Sequence, residues 1–293
     1  MNLFVTVLEI VAPVLLLAAI GFSWVKLGFE YRVEFVTRLA MTLSVPCLIF
    51  TSLMQTEVDP VALTTVSIAA TVAYVAIAVV FYAIILLFRL DVRTYLAPLV
   101  FGNTGNIGMP LALFAFGQDG LGYAVVVFAV MAIGSFTFGI WVVTGGGSLT
   151  KVIKEPIVAA TILGGIFLSQ GWQTPRVLTN TLELIGQIAI PIMLITLGVA
   201  VARLHPGRLG RALILSLAKA AVCVAAGLGI GMAFGLNGMA LAVLTVQLAT
   251  PVAVTSYMLA VKYGADDDAV AGLVVVSTLL SVGLVPLLLA FLI

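Results

Sequence analysis

Gly102-Asn103-Thr104-Gly105-Asn106-Ile107-Gly108-Met109-Pro110 sits in the middle of an apolar segment running from about residue 95 to 116. Glycines, amides and a proline interrupt a helix there, where lipid would demand an unbroken one. A second interruption, Gln247-Leu248-Ala249-Thr250-Pro251, lies far downstream inside another apolar segment. Two interrupted membrane helices at corresponding positions in two halves of a chain point to a transporter substrate site.

The composition places both breaks in a membrane. The chain is 63% hydrophobic and 9% charged, with a mean hydropathy of +1.29. A soluble domain is about half apolar and about a quarter charged. The fold class is therefore an all-α polytopic membrane protein. A net charge of +1, with no basic tract and no aromatic platform, argues against nucleic acid as a partner. Met1 to Leu8 carries no basic residue, so the first apolar run reads as a span and not as a cleaved secretory signal. Cys47 and Cys223 both fall in apolar segments and read as packing residues. No disulfide framework, metal site or cofactor is expected.

A span needs roughly 20 apolar residues. Ten such segments cover about 4–25, 35–54, 61–88, 95–116, 120–144, 155–171, 180–202, 210–234, 238–260 and 269–292. Of the 13 Lys and Arg residues, all but Arg176 and Lys219 fall in loops on one side of this arrangement. That side is cytoplasmic by the bias of basic residues, which puts both termini outside.

An internal repeat underlies the ten spans. Pro13 pairs with Pro156, Pro46 with Pro191, and Pro110 with Pro251, at nearly constant separation. Gly117 before Asp119 pairs with Gly264 before Asp266. The halves, 1–148 and 149–293, each hold five spans. An odd number makes the second half enter from the opposite side, which predicts an inverted repeat with a pseudo-two-fold axis in the membrane plane.

The breaks carry the chemistry. Pro110 and Pro251 each suit the first turn of a new half-helix, because a proline there loses no hydrogen bond. Facing breaks would aim two positive helix N-termini at one point and favour an anion such as a carboxylate. Asn103, Thr104, Asn106, Gln247 and Thr250 add donors and acceptors, while Gly102, Gly105 and Gly108 permit close backbone approach. The plain alternative is a pair of structural kinks patched by neighbouring side chains.

At these residues the chain resembles the auxin efflux carrier family, the bacterial relatives of the plant carriers. Asn103-Thr104-Gly105 with Gly108-Met109-Pro110-Leu111 is the most specific match, and Pro251 through Ala260-Val261-Lys262-Tyr263-Gly264 is the weaker one. The long cytoplasmic loop of many plant members is missing. The resemblance implies a five-plus-five fold with two crossover helices, similar to bile-acid and sodium–proton transporters. It implies a scaffold of spans 1, 2, 6 and 7 and a transport unit of spans 3, 4, 5, 8, 9 and 10. It further implies elevator-type movement of an organic anion, a homodimer, and a place in the bacterial inner membrane. Asn103 aligns with the crossover asparagine that binds the substrate carboxylate in plant members, and Pro110 and Pro251 with the family's proline pair. Small dicarboxylates such as malonate and malate are the implied substrates.

Lys219 lies about eight residues past Arg211, so roughly 12 Å deeper at 1.5 Å per residue. A cation at that depth is a functional candidate. It would attract the substrate anion, pair with a carboxylate, or reach the interface from a tilted helix. Its repeat counterpart is near Tyr74. Glu9 and Glu183 read as interfacial, Asp119, Asp266, Asp267, Asp268 and Glu155 as helix-start partners, and His205 as solvated in a loop.

The leading function is secondary transport of small mono- or dicarboxylates, with Asn103, Thr104, Gly105, Asn106, Pro110, Gln247, Thr250, Pro251 and Lys219 forming the substrate site. The membrane potential drives an anion outward by roughly 2.3 kcal/mol per charge per 100 mV, so export needs no coupling ion. The alternative is a sodium- or proton-coupled importer of the bile-acid type. A channel lacks a filter repeat here, and an intramembrane enzyme lacks a Ser/His or paired-Asp arrangement within the spans.

Overall fold

A lipid environment leaves a chain of this composition little choice but helices, since each backbone group must be satisfied within its own segment. The computed structural model describes residues 3–55, 58–145, 156–203 and 209–292. Fourteen helices occupy them: α1 Leu3–Lys26, α2 Val33–Leu39, α3 Val45–Gln55, α4 Pro60–Leu87, α5 Val92–Val100, α6 Met109–Gly134, α7 Ile140–Thr144, α8 Pro156–Gln170, α9 Arg176–Gln187, α10 Ala189–Arg203, α11 Leu209–Ala233, α12 Gly238–Leu248, α13 Val254–Tyr263 and α14 Asp267–Leu292. Three π-helical turns join neighbours: Ala40–Ser44, Thr104–Gly108 and Ser135–Gly139.

Helical segments fall within every range marked out by hydropathy. Among the described residues, six stretches are long and apolar enough to cross a membrane: Val33–Gln55, Pro60–Leu87, Thr104–Thr144, Arg176–Arg203, Leu209–Ala233 and Asp267–Leu292. Shorter apolar helices include Ala159–Gln170 and Gly238–Leu248.

Pro13 lies inside the unbroken α1, but Pro46 and Pro191 sit at interruptions. Pro46 follows the π-helical turn Ala40–Ser44, and Pro191 follows the break between α9 and α10. Each removes an interior N–H and clashes with the preceding turn, which a local change of pitch relieves. The paired glycines share a positive φ but differ in ψ, −156° at Gly117 and 38° at Gly264. Gly117 bends α6 with φ 67°, and Gly264 ends α13 with φ 68°, both in the region that glycine enters without strain. Aspartates start helices: Asp91 accepts the Thr94 N–H at 3.0 Å, and Asp266, as expected, accepts the Ala269 N–H at 3.0 Å.

Two packing themes position the site. In the first, α1 lies along α10, and α3 lies along α8 and α9. A Cβ on Gly21 would collide with the Ile195 carbonyl, and one on Gly198 with the Ala18 carbonyl, so α1 and α10 touch backbone to backbone. Small residues at such a crossing are how helices associate without a hydrophobic drive between them. In the second, α4, α5, α6, α11, α12 and α14 pack around the two breaks, with α11 against both α12 and α14 and α4 against both α5 and α6.

Polar contacts between element ends fall into two sets. Arg203 donates to the Tyr31 carbonyl at 2.7 Å, and Arg93 donates to the carbonyls of Val143 and Tyr263, each at 3.0 Å. These join loops that carry the basic residues. Gln173 donates to the Met54 carbonyl at 3.1 Å, and Gln55 donates to the Glu183 carboxylate, joining ends of the opposite kind. Glu183 thus has a protein partner. Lys151, Lys154, Glu155, His205 and Arg208 lie outside the described residues, as does the side chain of Glu9.

Candidate functional site at the crossing of two broken helices

The two interruptions meet. After α5 the chain runs extended through Phe101 and Gly102, and after α12 it runs extended through Val252. Gly102 and Val252 form an isolated antiparallel bridge, and the Asn103 N–H donates to the Pro251 carbonyl at 2.7 Å. The backbone groups freed by each break therefore find partners in the other. The Val252 N–H donates to the Ser277 hydroxyl of α14 at 3.0 Å, so a third element anchors the crossing.

Small residues make the approach possible. A Cβ on Gly102 would collide with the Thr250 hydroxyl, and one on Gly108 with the Gln247 amide oxygen. Gly105 faces Phe128 and Met193, so the π-helical turn also presses on α10. Residues 101–105 and 247–254 are buried, whereas Asn106 is half-buried.

The two half-helices start differently. Helical hydrogen bonding of the first begins at the Asn103 carbonyl, which accepts from Ile107 at 3.1 Å and Gly108 at 3.3 Å. Pro110 follows as the second residue of α6, as the sequence suggests. Pro251 is a correction. It lies in the extended crossing, three residues before α13 begins at Val254. Its ring suits extended backbone as well as a first helical turn, and its carbonyl is used by Asn103. Neither Asn103 nor Ala253 caps its helix with a side-chain bond, so the leading N–H groups of both half-helices carry no cap.

Unpartnered polar atoms gather here. The Asn103 amide nitrogen, the Thr104 hydroxyl and both amide atoms of Gln247 are buried without a hydrogen-bond partner. A buried polar atom left unpaired costs about 1–3 kcal/mol. Unpartnered atoms of this kind call for an explanation, whether strain, a water or a ligand. The Thr250 hydroxyl, by contrast, is spent on the Gln247 carbonyl at 2.6 Å.

A small cavity of about 30 Å³ adjoins the crossing, lined by Thr37, Asn106, Thr196, Val254 and Thr255 among others. It holds little more than a water's share of volume, so a carboxylate needs movement to enter. Tyr31, in the loop before α2, donates to or accepts from Thr196 at 2.7 Å, and burial pushes its hydroxyl pKa up, so it stays neutral. A larger apolar cavity of about 310 Å³ lies between α1, α10 and α14, with Ile107 and Leu111 on its wall.

Lys219 stands behind the crossing. It is 2% exposed, and its Nζ donates to the Leu99 carbonyl at 3.1 Å, with Cys223 Sγ at 3.8 Å. It neither reaches an interface nor meets a carboxylate; it holds the end of α5. Ser277, Thr37, Thr196 and Thr255 were not singled out by sequence. A polar residue inside an apolar span is their only signal, and most such residues merely bond their own helix.

Comparison with known proteins now adds to this geometry. A family model described as membrane transport protein matches residues 6–148 and 140–289. The chain belongs to this family, that of the auxin efflux carriers. It is 26% identical over 196 residues to an uncharacterized transporter of Methanocaldococcus jannaschii, covering 61% of this chain and 62% of that one. It is 24% identical over 294 residues to an uncharacterized transporter of Methanothermobacter thermautotrophicus, covering 95% of this chain and 96% of the relative. The alignment thus spans a little under two thirds of the first archaeal protein and nearly all of the second. Membership makes this a multi-pass membrane protein with a general role in transport.

Proposed function

We propose that the protein is a secondary transporter of small organic anions, mono- or dicarboxylates, held at the crossing of the two broken helices. The observation that carries this reading is the concentration of four unpartnered buried polar atoms, from Asn103, Thr104 and Gln247, beside two uncapped half-helix N-termini. Amide and hydroxyl donors next to free backbone N–H groups suit a carboxylate. In this reading Asn103 and Thr104 bind the carboxylate, Gly105 and Asn106 present backbone N–H groups, and Gln247 turns toward the ligand from the second break. Pro110, Thr250 and Pro251 hold the geometry.

The chain is an inverted repeat of two five-span units, 1–148 and 149–293. Support comes from packing: α1 on α10 and α8 on α3 exchange under the repeat, and the matched glycines Gly117 and Gly264 share a positive φ. The scaffold comprises α1 to α3 and α8 to α10. The rest moves against it as an elevator, and the apolar cavity between α1, α10 and α14 lies along that sliding surface. Assembly is as a homodimer through the scaffold in the inner membrane, with both termini outside.

A thermal-shift screen of mono- and dicarboxylates, with and without sodium, tests this reading. A ligand of the native state raises its stability by mass action. Stabilisation by a carboxylate without sodium is the expected result. No stabilisation by any carboxylate contradicts the site, and strict sodium dependence replaces the uncoupled reading with a coupled importer.

A further inference from the structure

The crossing gathers four helix ends. α6 and α13 bring positive N-terminal ends, but α5 and α12 bring negative C-terminal ends to the same place. Each end is worth about half a charge, so the four sum to nearly zero. Two converging N-termini alone therefore do not make an anion site. Something must offset the carbonyl ends.

The end of α12 is satisfied locally. The Gln247 carbonyl accepts from the Thr250 hydroxyl and, at 3.3 Å, from the Thr250 N–H, and the Thr245 carbonyl accepts from Ala249 at 3.0 Å. The end of α5 has a different partner, the Lys219 ammonium on the Leu99 carbonyl. Among the described residues, Lys219 is the one charged residue in the buried polar set, and none of their carboxylates lies within ion-pair distance of it. A cation buried without a counter-ion is costly. Apart from the longer contact with the Cys223 thiol, its use here is to oppose a helix end.

We propose that Lys219 sets the sign of the crossing. Its fixed charge cancels the carbonyl end of α5 and leaves the N-termini of α6 and α13 in excess. It selects anions, and it favours dianions over monoanions, without touching the substrate. It is a positioning residue that acts through the Leu99 carbonyl and the α5 backbone. This inference rests on the carboxylate-site reading above.

The test measures binding of malonate and of its half-amide malonamate, a monoanion of similar shape, to purified protein at neutral pH. Three variants accompany the wild type. Lys219→Gln keeps a donor for Leu99 but removes the charge, Lys219→Arg keeps both, and Cys223→Asp leaves Lys219 in place and pairs it with a carboxylate one turn away. The expected result is a preference of the wild type for malonate. Lys219→Gln and Cys223→Asp lose about tenfold or more in malonate affinity, and the preference collapses, while Lys219→Arg retains it. A structural role alone would lower stability and leave the malonate-to-malonamate ratio unchanged. An unchanged ratio in Lys219→Gln overturns the inference and leaves the carboxylate site standing. Should Lys219→Gln not fold, an unchanged ratio in Cys223→Asp overturns it equally. Binding of neither probe to the wild type removes the site itself, and the inference with it.

Discussion

Residues 101–108 and residues 249–253 cross each other in one core, yet one break is open to chemistry and the other is closed. The first carries Asn103 and Thr104 with idle polar atoms and then unwinds into a π-helical turn. The second uses its Thr250 hydroxyl on Gln247, gives its Pro251 carbonyl to Asn103, and leans its Val252 N–H on Ser277. The proposed repeat would supply the matching geometry twice. In the proposed reading, recognition falls to one break and support to the other, with Gln247 reaching across from the supporting side to lie against Gly108.

The largest expected effect falls where the copies touch. Gly102→Val forces a side chain into Thr250 and should cost about 3 kcal/mol or more, or prevent folding, as read by thermal unfolding in detergent. A mild effect would mean that the two breaks do not press together. Ser277→Ala strands the buried Val252 N–H and should cost about 1–3 kcal/mol, with carboxylate specificity unchanged. A change of specificity there would give the second break a share in recognition.

Gln247→Leu should sharpen the comparison by moving two properties in opposite directions. Removing two unpartnered amide atoms raises thermal stability by about 1 kcal/mol, while carboxylate affinity falls. A parallel loss of both would make Gln247 a supporting residue. The smallest effect concerns the repeat itself. Gly264→Ala places a Cβ in the left-handed helical region and should cost about 1 kcal/mol, and Gly117→Ala, at a backbone conformation that essentially only glycine adopts, should cost more. Equal costs would mean that the bend at Gly117 relaxes to the conformation of its counterpart.

Much of this was legible in the sequence because lipid narrows the options. Glycine, amide and proline inside apolar runs locate both breaks, since no other arrangement satisfies the backbone there. The helix-starting Asp266 was equally plain, since a carboxylate can accept the free N–H groups of a first turn, whereas the cap at Asp91 was not singled out. Three things were not legible. Pro251 satisfies the same φ in an extended strand as in a helix, so the residue alone does not say which. The partner of Lys219 is a backbone carbonyl, which carries no side-chain signal and lies 120 residues away in the chain. The close packing of α1 on α10 depends on which of many glycines, here Gly21 and Gly198, face each other.

The central claim is that the first break binds the transported anion, and counterflow of labelled malonate into proteoliposomes tests it most directly. Wild-type protein should exchange malonate, and Asn103→Ala should be silent while eluting and melting like the wild type, because it removes an amide nitrogen that no protein atom uses. Equal exchange by both proteins would contradict the account.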